Sequence, residues 1–190
     1  MNASPLFAVT LLSLPACLSV DPPLPVRTFH VGAQESDTVA VVEAGTRTPL
    51  LLDRVDSAPQ LGERMTWHLS DVEFAVDELA RWSAPPEELV RAALRARLFE
   101  GGGFESNVQA PQRLSVRVTA FGGDLTGEAP RARVRLVAAQ TSRSTGATRD
   151  AVFSESVPLE SREPDALARG VQRALTNATT RLAAWLNGEE

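Results

Sequence analysis

The sequence contains no lysine and no tyrosine, and it has only two histidines and one cysteine. Without lysine the chain cannot build a Walker A loop, whose lysine contacts the nucleotide phosphates. His30, His68 and Cys17 are too few for a zinc site of the usual Cys/His kind. A single cysteine also rules out a disulfide within the chain. These absences exclude a conventional P-loop ATPase and predict a protein without a cofactor.

Long apolar runs and an excess of positive charge are missing as well. No run approaches the roughly 20 apolar residues that a membrane-spanning helix needs. The formal net charge is −5, whereas a nucleic-acid-binding chain normally carries a basic footprint. We therefore predict no nucleic-acid partner. The length of 190 residues is sufficient for one domain with its own core.

The N-terminus has the pattern of an exported lipoprotein. Residues 6–16 read LFAVTLLSLPA, which fits the apolar region of an export signal, although residues 1–5 carry no basic side chain. Leu14-Pro15-Ala16-Cys17 resembles a lipobox, in which the cysteine thiol takes up a diacylglyceryl group and, after signal cleavage, the new N-terminal amine takes an acyl chain such as palmitate. This pattern predicts a signal peptide over 1–16 and lipid attachment at Cys17. An ordinary cleaved signal and a buried apolar segment remain the alternatives.

A proline-rich stretch follows the cysteine. Asp21-Pro22-Pro23-Leu24-Pro25 has three prolines in four residues, a composition typical of extended polyproline II and semi-rigid spacers. We interpret residues 17–35 as a lipidated N-terminus and tether, and residues 36–190 as one folded domain.

Alternation of apolar and polar residues predicts the strands of this domain. Two such runs around Ser70-Asp71 predict a hairpin, with an irregular segment over 77–83 after it and a helix over 71–81 as the alternative for its second arm. Gly122-Gly123-Asp124 is predicted to turn the chain, with continuation of the strand through Asp124-Leu125 past a bulge as the alternative. The last three strands should form an antiparallel meander. The predicted strands cover 29–32, 38–43, 48–55, 64–69, 72–76, 114–120, 131–139 and 151–159.

Two helices are predicted from their start signals and apolar stripes. Pro86 suits the first position of a helix, and Glu87 and Glu88 lie at the positive end of its dipole. This helix should end at the glycines 101–103, and a second helix should run from Pro164 to Asn187. The predicted fold is α+β and two-layer, with a largely antiparallel sheet and both long helices packed on one face.

Two groups of residues are candidates for binding a partner. Arg81-Trp82, just before the first helix, could form a docking surface, or Trp82 could belong to the core while Arg81 pairs with a carboxylate. Arginines at alternate strand positions could contact anionic headgroups or an acidic partner, or could form a solvated face. This second group comprises Arg113, Arg117, Arg131, Arg133 and Arg135.

Several short segments together point to a known family. The segments are LDRVDSAP at 52–59, ERM at 63–65, SDVE at 70–73, RW at 81–82 and PPE at 85–87. They resemble the ABC-type transport auxiliary lipoprotein family, of the MCE-associated, paraquat-inducible lipoprotein type. The resemblance covers roughly residues 36–187 in element order and is specific over 50–99. It implies a periplasmic lipoprotein, without ATPase activity, that partners an MCE-domain protein in phospholipid movement between membranes. Leu18 after the cysteine fits outer-membrane sorting.

Two functional hypotheses follow. The first is a non-catalytic lipoprotein that binds a transport partner and forms a homo-oligomer. The second is a small exported hydrolase or ligand-binding protein. An enzyme needs titratable groups that converge in a pocket, and this chain has few of them. Although His68, Ser70 and Asp71 lie close in sequence, nothing nearby supplies a nucleophile elbow. The sequence therefore favours the non-enzymatic hypothesis.

Overall fold

The computed structural model describes residues 24–32 and 47–189, which form one sheet covered by two helices. The predicted strand over 38–43 and the predicted lipid-attachment residue Cys17 lie outside these residues. Within them, no helix is long and apolar enough to cross a membrane. The strands are β1 Arg27–Phe29, β2 Thr48–Ser57, β3 Arg64–His68, β4 Phe74–Trp82, β5 Phe104–Ser106, β6 Gln112–Asp124, β7 Arg131–Ser142 and β8 Thr148–Pro158. The helices are α1 Pro86–Arg95, which continues as a π-helical turn over Ala96–Glu100, and α2 Pro164–Asn187.

Strand β6 is the centre of the sheet. Along one edge it pairs antiparallel with β7, which pairs antiparallel with β8, so the predicted meander is confirmed. Its other edge is shared: β2 pairs in parallel with residues 112–118, and β3 pairs in parallel with Gly123 and Asp124. Beyond β2 lies β5, and beyond β3 lie β4 and then β1. The sheet is largely antiparallel in its long ladders and branches into two short arms on the far side of β6.

The core forms between the sheet and the helices. In β6 the residues Leu114, Val116 and Val118 are buried and face the helices, and in β7 the alternate residues Val134 and Leu136 do the same. Residues between them point to the opposite face, because successive side chains of a strand alternate. We call this opposite side of the sheet the outer face.

Helix α1 begins and ends where its sequence signals predict. Pro86 occupies the first turn after Pro85, with Glu87 and Glu88 beside it. The π-helical turn then ends in the glycines, where a Cβ on Gly102 would lie 2.5 Å from the carbonyl oxygen of Leu98. A side chain at this position would therefore collide with the end of the helix.

Helix α2 covers the meander. It packs on β7 and β8, whereas α1 packs on β2 and β6, and the two helices contact each other. Gly188 ends α2 with a left-handed φ of 77°. At the same end, Arg149 of β8 donates to the carbonyls of Trp185 and Leu186, at 3.0 and 3.3 Å. The predicted two-layer α+β fold with both helices on one face is confirmed.

The hairpin differs from its prediction in three respects. Strands β3 and β4 pair antiparallel as predicted, but the turn between them spans residues 69–73. The alternative helix over 71–81 is wrong, and the irregular segment predicted over 77–83 is instead strand as far as Trp82. The strand continues because Arg81 returns to register opposite Arg64 after a bulge, and because β1 pairs with residues 80–82.

The turn predicted at Gly122-Gly123-Asp124 is also wrong. These residues continue β6, pairing with β7 on one side and with β3 on the other. The glycines serve close packing here: a Cβ on Gly123 would lie 2.0 Å from the Trp67 ring. The chain turns only after Asp124, whose Oδ1 accepts hydrogen bonds from the backbone and hydroxyl of Thr126 at 2.9 and 2.6 Å.

Candidate functional site

The N-terminal arm, residues 24–32, ties the tether to both layers of the domain. Arg27 forms an ion pair of 2.5 Å with Asp165 in the first turn of α2. The Gln172 side chain of α2 accepts from the backbone N–H of Gly32 at 2.7 Å and donates to its carbonyl. Strand β1 runs parallel to β4 with Arg27 opposite Ala80. The chain therefore enters the domain from the end at which the β3–β4 hairpin turn lies.

The neighbours Arg81 and Trp82 lie in different environments. Trp82 is 2% exposed and packs edge-on against Phe121, with ring centroids 5.2 Å apart. Arg81 is half-buried and lines a groove with Val76 and Thr66. The structure thus separates the pair, with the tryptophan in the core and the arginine at a surface groove.

The candidate arginines of β6 and β7 share the outer face. Arg133 lies 3.5 Å from Asp124, and Arg117 lies 3.9 Å from Asp56. Arg135 is within 3.4 Å of the Thr119 hydroxyl. The carboxylates of Asp124 and Asp56 neutralise part of the positive charge, so the outer face is a mixed polar surface.

Asp124 is a partly buried carboxylate of this surface. Its burial alone would raise the pKa of the carboxyl, but hydrogen bonds from Thr126 and the charges of Arg133 and His68 lower the pKa below its ordinary value. Asp124 therefore remains ionised and holds Arg133 against the sheet.

The predicted candidate Arg81 has a neighbouring arginine, Arg64, that was not among the predicted candidates. Arg64 of β3 lies directly opposite Arg81 of β4. Both line a groove of about 410 Å³, together with Gln60, Gly62, Glu63, Thr66 and Val76. Only the register of the bulged hairpin brings the two arginines together, so no local sequence signal identifies Arg64.

The same hairpin carries exposed apolar side chains. Val72 at its turn is 94% exposed, Phe74 is 49% exposed and Val76 is 40% exposed. Leu69 and Leu79 are exposed as well. Within residues 24–32 and 47–189, no strand pairs with the outer edge of β4 between Phe74 and Leu79.

A wider groove of about 940 Å³ lies between α2, the end of β8 and the N-terminal arm. Its rim includes Gly32, the last residue described before the interval 33–46, so its full boundary is not defined by the described residues. No group of three or more His, Cys, Asp or Glu residues suited to a metal ion occurs among the residues that the structure describes. His30 contacts the Ser83 hydroxyl at 2.8 Å, and His68 packs near the Phe74 ring.

Solved structures share this architecture. A crystal structure of a DUF330 family protein from Xanthomonas campestris superposes with a TM-score of 0.68 at 20% identity, covering 86% of this chain and 97% of that chain. A second solved structure, of an uncharacterised protein, gives a TM-score of 0.59 at 16% identity and covers 75% of this chain and 99% of the other. At these identities the likeness shows the fold alone. No curated protein sequence matches the chain.

The sequence defines the class further. The model of the ABC-type transport auxiliary lipoprotein component family matches residues 33–183, and the chain belongs to this family. Its class is thus a lipoprotein that accompanies an ABC-type transport system, in agreement with the resemblance found over residues 50–99.

Proposed function

We propose that the protein is a non-catalytic lipoprotein of the periplasm, anchored to the outer membrane through Cys17, that helps an ABC/MCE-type system move phospholipid or other lipid between the two membranes. It does so by binding the MCE-domain protein of that system, and it acts as a homo-oligomer. The observation that carries this proposal is the family match over residues 33–183.

The geometry of the N-terminal arm supports a short, firm attachment to the membrane. Seven residue steps separate Cys17 from Leu24, where the described chain begins. A fully extended chain spans at most about 3.6 Å per residue, so the domain stays within about 25 Å of its anchor. The arm is then fixed on β4 and α2, which orients the hairpin end of the domain towards the membrane.

Partner binding is assigned to the outer face and the hairpin. Arg117, Arg133 and Arg135 present guanidinium groups on the outer face, and Arg81 lies at its hairpin end. Trp82 contributes through the position of β4, because its own side chain is buried. A small exported ligand-binding protein is the alternative, and the groove beside Arg81 is the observation that favours it.

Replacement of Cys17 by serine should release the protein from membranes. Serine lacks the thiol that forms the thioether to the lipid, and each buried CH₂ of an acyl chain contributes about 0.8 kcal/mol to membrane binding. Fractionation of cells into soluble and membrane material, followed by immunoblotting, measures the change. Ser19→Ala is the matched control and should stay with the membranes. Continued membrane association of Cys17→Ser would contradict the anchor.

Co-purification tests the transport assignment. Tagged protein, isolated from cells that express its neighbouring genes, should recover an MCE-domain protein identified by mass spectrometry. Double replacement of Arg117 and Arg133 by glutamine should reduce this recovery severalfold, whereas Arg95→Gln on the exposed side of α1 should leave it unchanged. Repeated failure of the unmodified protein to recover any MCE-domain protein would overturn the proposal.

A further inference from the structure

We propose that the groove at the β3–β4 hairpin binds the phosphate headgroup of an amphiphile. Arg64 and Arg81 hold the phosphate, and Val76 and Phe74 lie along the apolar part of the ligand. This proposal adds a ligand to the proposed function, and it rests on that function only for the source of the lipid. The binding of a phospholipid by the groove can be measured without the transport partner.

The positive charge of the arginine pair has no counter-ion among the described residues. Like charges directly opposite each other on antiparallel strands destabilise the pair. Within residues 24–32 and 47–189 neither guanidinium forms an ion pair or hydrogen bond, and Glu63, which also lines the groove, is not within ion-pair distance of either arginine. A phosphate between them would convert a repulsion into two attractions.

The Arg81 Nε atom is buried without a hydrogen-bond partner among the described residues. A buried donor left without a partner is destabilising, because it has lost its hydrogen bonds to water. Guanidinium groups bind phosphate oxygens through two parallel N–H bonds, a geometry that uses Nε together with a terminal nitrogen. An oxyanion in the groove would satisfy this donor.

The bulge of β4 builds the site. Four residues of β4, Asp77 to Ala80, face a single residue of β3, Met65. The Asp77 Oδ1 atom accepts hydrogen bonds from the backbone N–H groups of Leu79 and Ala80, both at 2.9 Å, which closes the bulge. Arg81 therefore returns to register opposite Arg64. Bulges of this kind redirect side chains next to binding sites.

Exposed apolar side chains beside the arginine pair can hold the apolar part of the ligand. Phe74 and Val76 are two residues apart on one strand, so they share a face and extend the groove by about 7 Å towards the hairpin turn. Both remain substantially exposed, at 49% and 40%. At the far end the turn carries Asp71 and Glu73, which repel an anion. The charges thus orient the headgroup towards Arg64 and Arg81 and the apolar chain towards the turn.

The volume agrees with such a ligand. The groove encloses about 410 Å³, within the range of about 300–1,000 Å³ typical of small-molecule sites. Gln60 and the Thr66 hydroxyl add polar groups at the headgroup end. The combination of cationic, polar and apolar lining fits a phospholipid better than a free phosphate.

Isothermal titration calorimetry tests the proposal with three probes. The full chain carrying Cys17→Ser is titrated with monomeric dihexanoyl-phosphatidylglycerol, with dihexanoylglycerol and with inorganic phosphate. We expect the phospholipid to bind at least tenfold more tightly than either other probe. If inorganic phosphate bound as tightly as the phospholipid, the claim that the ligand is an amphiphile would be overturned. If dihexanoylglycerol bound as tightly as the phospholipid, the claim that the groove recognises a phosphate headgroup would be overturned. Absence of phospholipid binding would overturn the whole proposal.

Variants in the same background place the binding in the groove. Arg64→Gln and Arg81→Gln should each lower phospholipid affinity about tenfold, Arg81→Lys should lower it less, and Val76→Ser should weaken phospholipid binding without changing that of phosphate. Arg95→Gln is the control and should bind normally. Residues 6–16 are present in every variant, so differences between variants report on the groove.

Circular dichroism checks that each variant is folded. Folded Arg64→Gln and Arg81→Gln proteins that bind phospholipid like the parent would overturn the site. If the parent binds no phospholipid while MCE-domain protein is still recovered by co-purification, the ligand assignment fails and the transport assignment stands. If the parent binds phospholipid but no MCE-domain protein is recovered, the transport assignment fails and the ligand assignment stands.

Discussion

At the scale of single residues, the contact between Trp67 and Gly123 joins the β3–β4 hairpin to the meander of β6, β7 and β8. Trp67 of β3 is opposite Gly123 of β6, and its ring covers the position that a side chain at residue 123 would occupy. Only glycine leaves this space free. The hairpin that carries the proposed groove is thus positioned by a residue with no side chain of its own.

Gly123→Ala should therefore destabilise the protein. The added Cβ would lie 2.0 Å from the Trp67 ring, so the ring or the strand must move. Overpacking of this kind typically costs about 1–3 kcal/mol, which corresponds to a fall in Tm of roughly 2–12 °C for a domain of this size. Thermal unfolding followed by circular dichroism measures it.

The control for this substitution is Gly127→Ala. A Cβ at residue 127 would have no atom within 4 Å, so this variant should unfold within about 0.5 kcal/mol of the parent. If Gly123→Ala left the free energy of unfolding as little changed as Gly127→Ala does, the close packing of Trp67 on Gly123 would not be what positions the β3–β4 hairpin.

At the scale of secondary-structure elements, local sequence patterns identify α2 and the meander well. The apolar stripe of α2 keeps one period along the helix, and buried and more exposed residues alternate regularly over 113–118 in β6 and 131–138 in β7. Such patterns are set by burial of one face, and the burial is observed. The ends of α1 could likewise be predicted, because Pro86 and the glycines at 101–103 act locally.

Strand β4 and the end of β6 could not be predicted in the same way. In β4, the bulge at Asp77 interrupts the alternation, and pairing with β1 and β3 maintains the strand beyond it. In β6, Gly122 and Gly123 are typical of turns, yet contacts with β3 keep them extended. Both segments depend on partners distant in sequence. The opposition of Arg64 and Arg81 arises from the same register, which is why the groove was missed.

At the scale of the whole molecule, the N-terminal arm couples the proposed membrane anchor to both layers. Arg27 pairs with Asp165 of α2, and Gly32 is held by Gln172. Strand β1 pairs with β4, the strand that carries Arg81. A force on the tether is therefore transmitted to the helix layer and to the hairpin together, instead of to a free terminus.

The ion pair between Arg27 and Asp165 should make this attachment dependent on pH. The hydrogen bond from Arg27, together with its charge, lowers the pKa of the Asp165 carboxyl below its ordinary value, against an opposing effect of desolvation. A carboxyl with a lowered folded-state pKa stabilises the fold above its unfolded-state pKa, and this stabilisation is lost as the pH falls through the folded-state value. In a double-mutant cycle of Arg27→Gln and Asp165→Asn, the coupling in Tm should be positive at pH 7 and should vanish as the pH falls through the folded-state pKa of Asp165. The cycle cancels the separate effect of Asp165 on the α2 dipole. A coupling that is absent at pH 7, or that persists unchanged at low pH, would show that the arm is held by β1 and Gln172 alone.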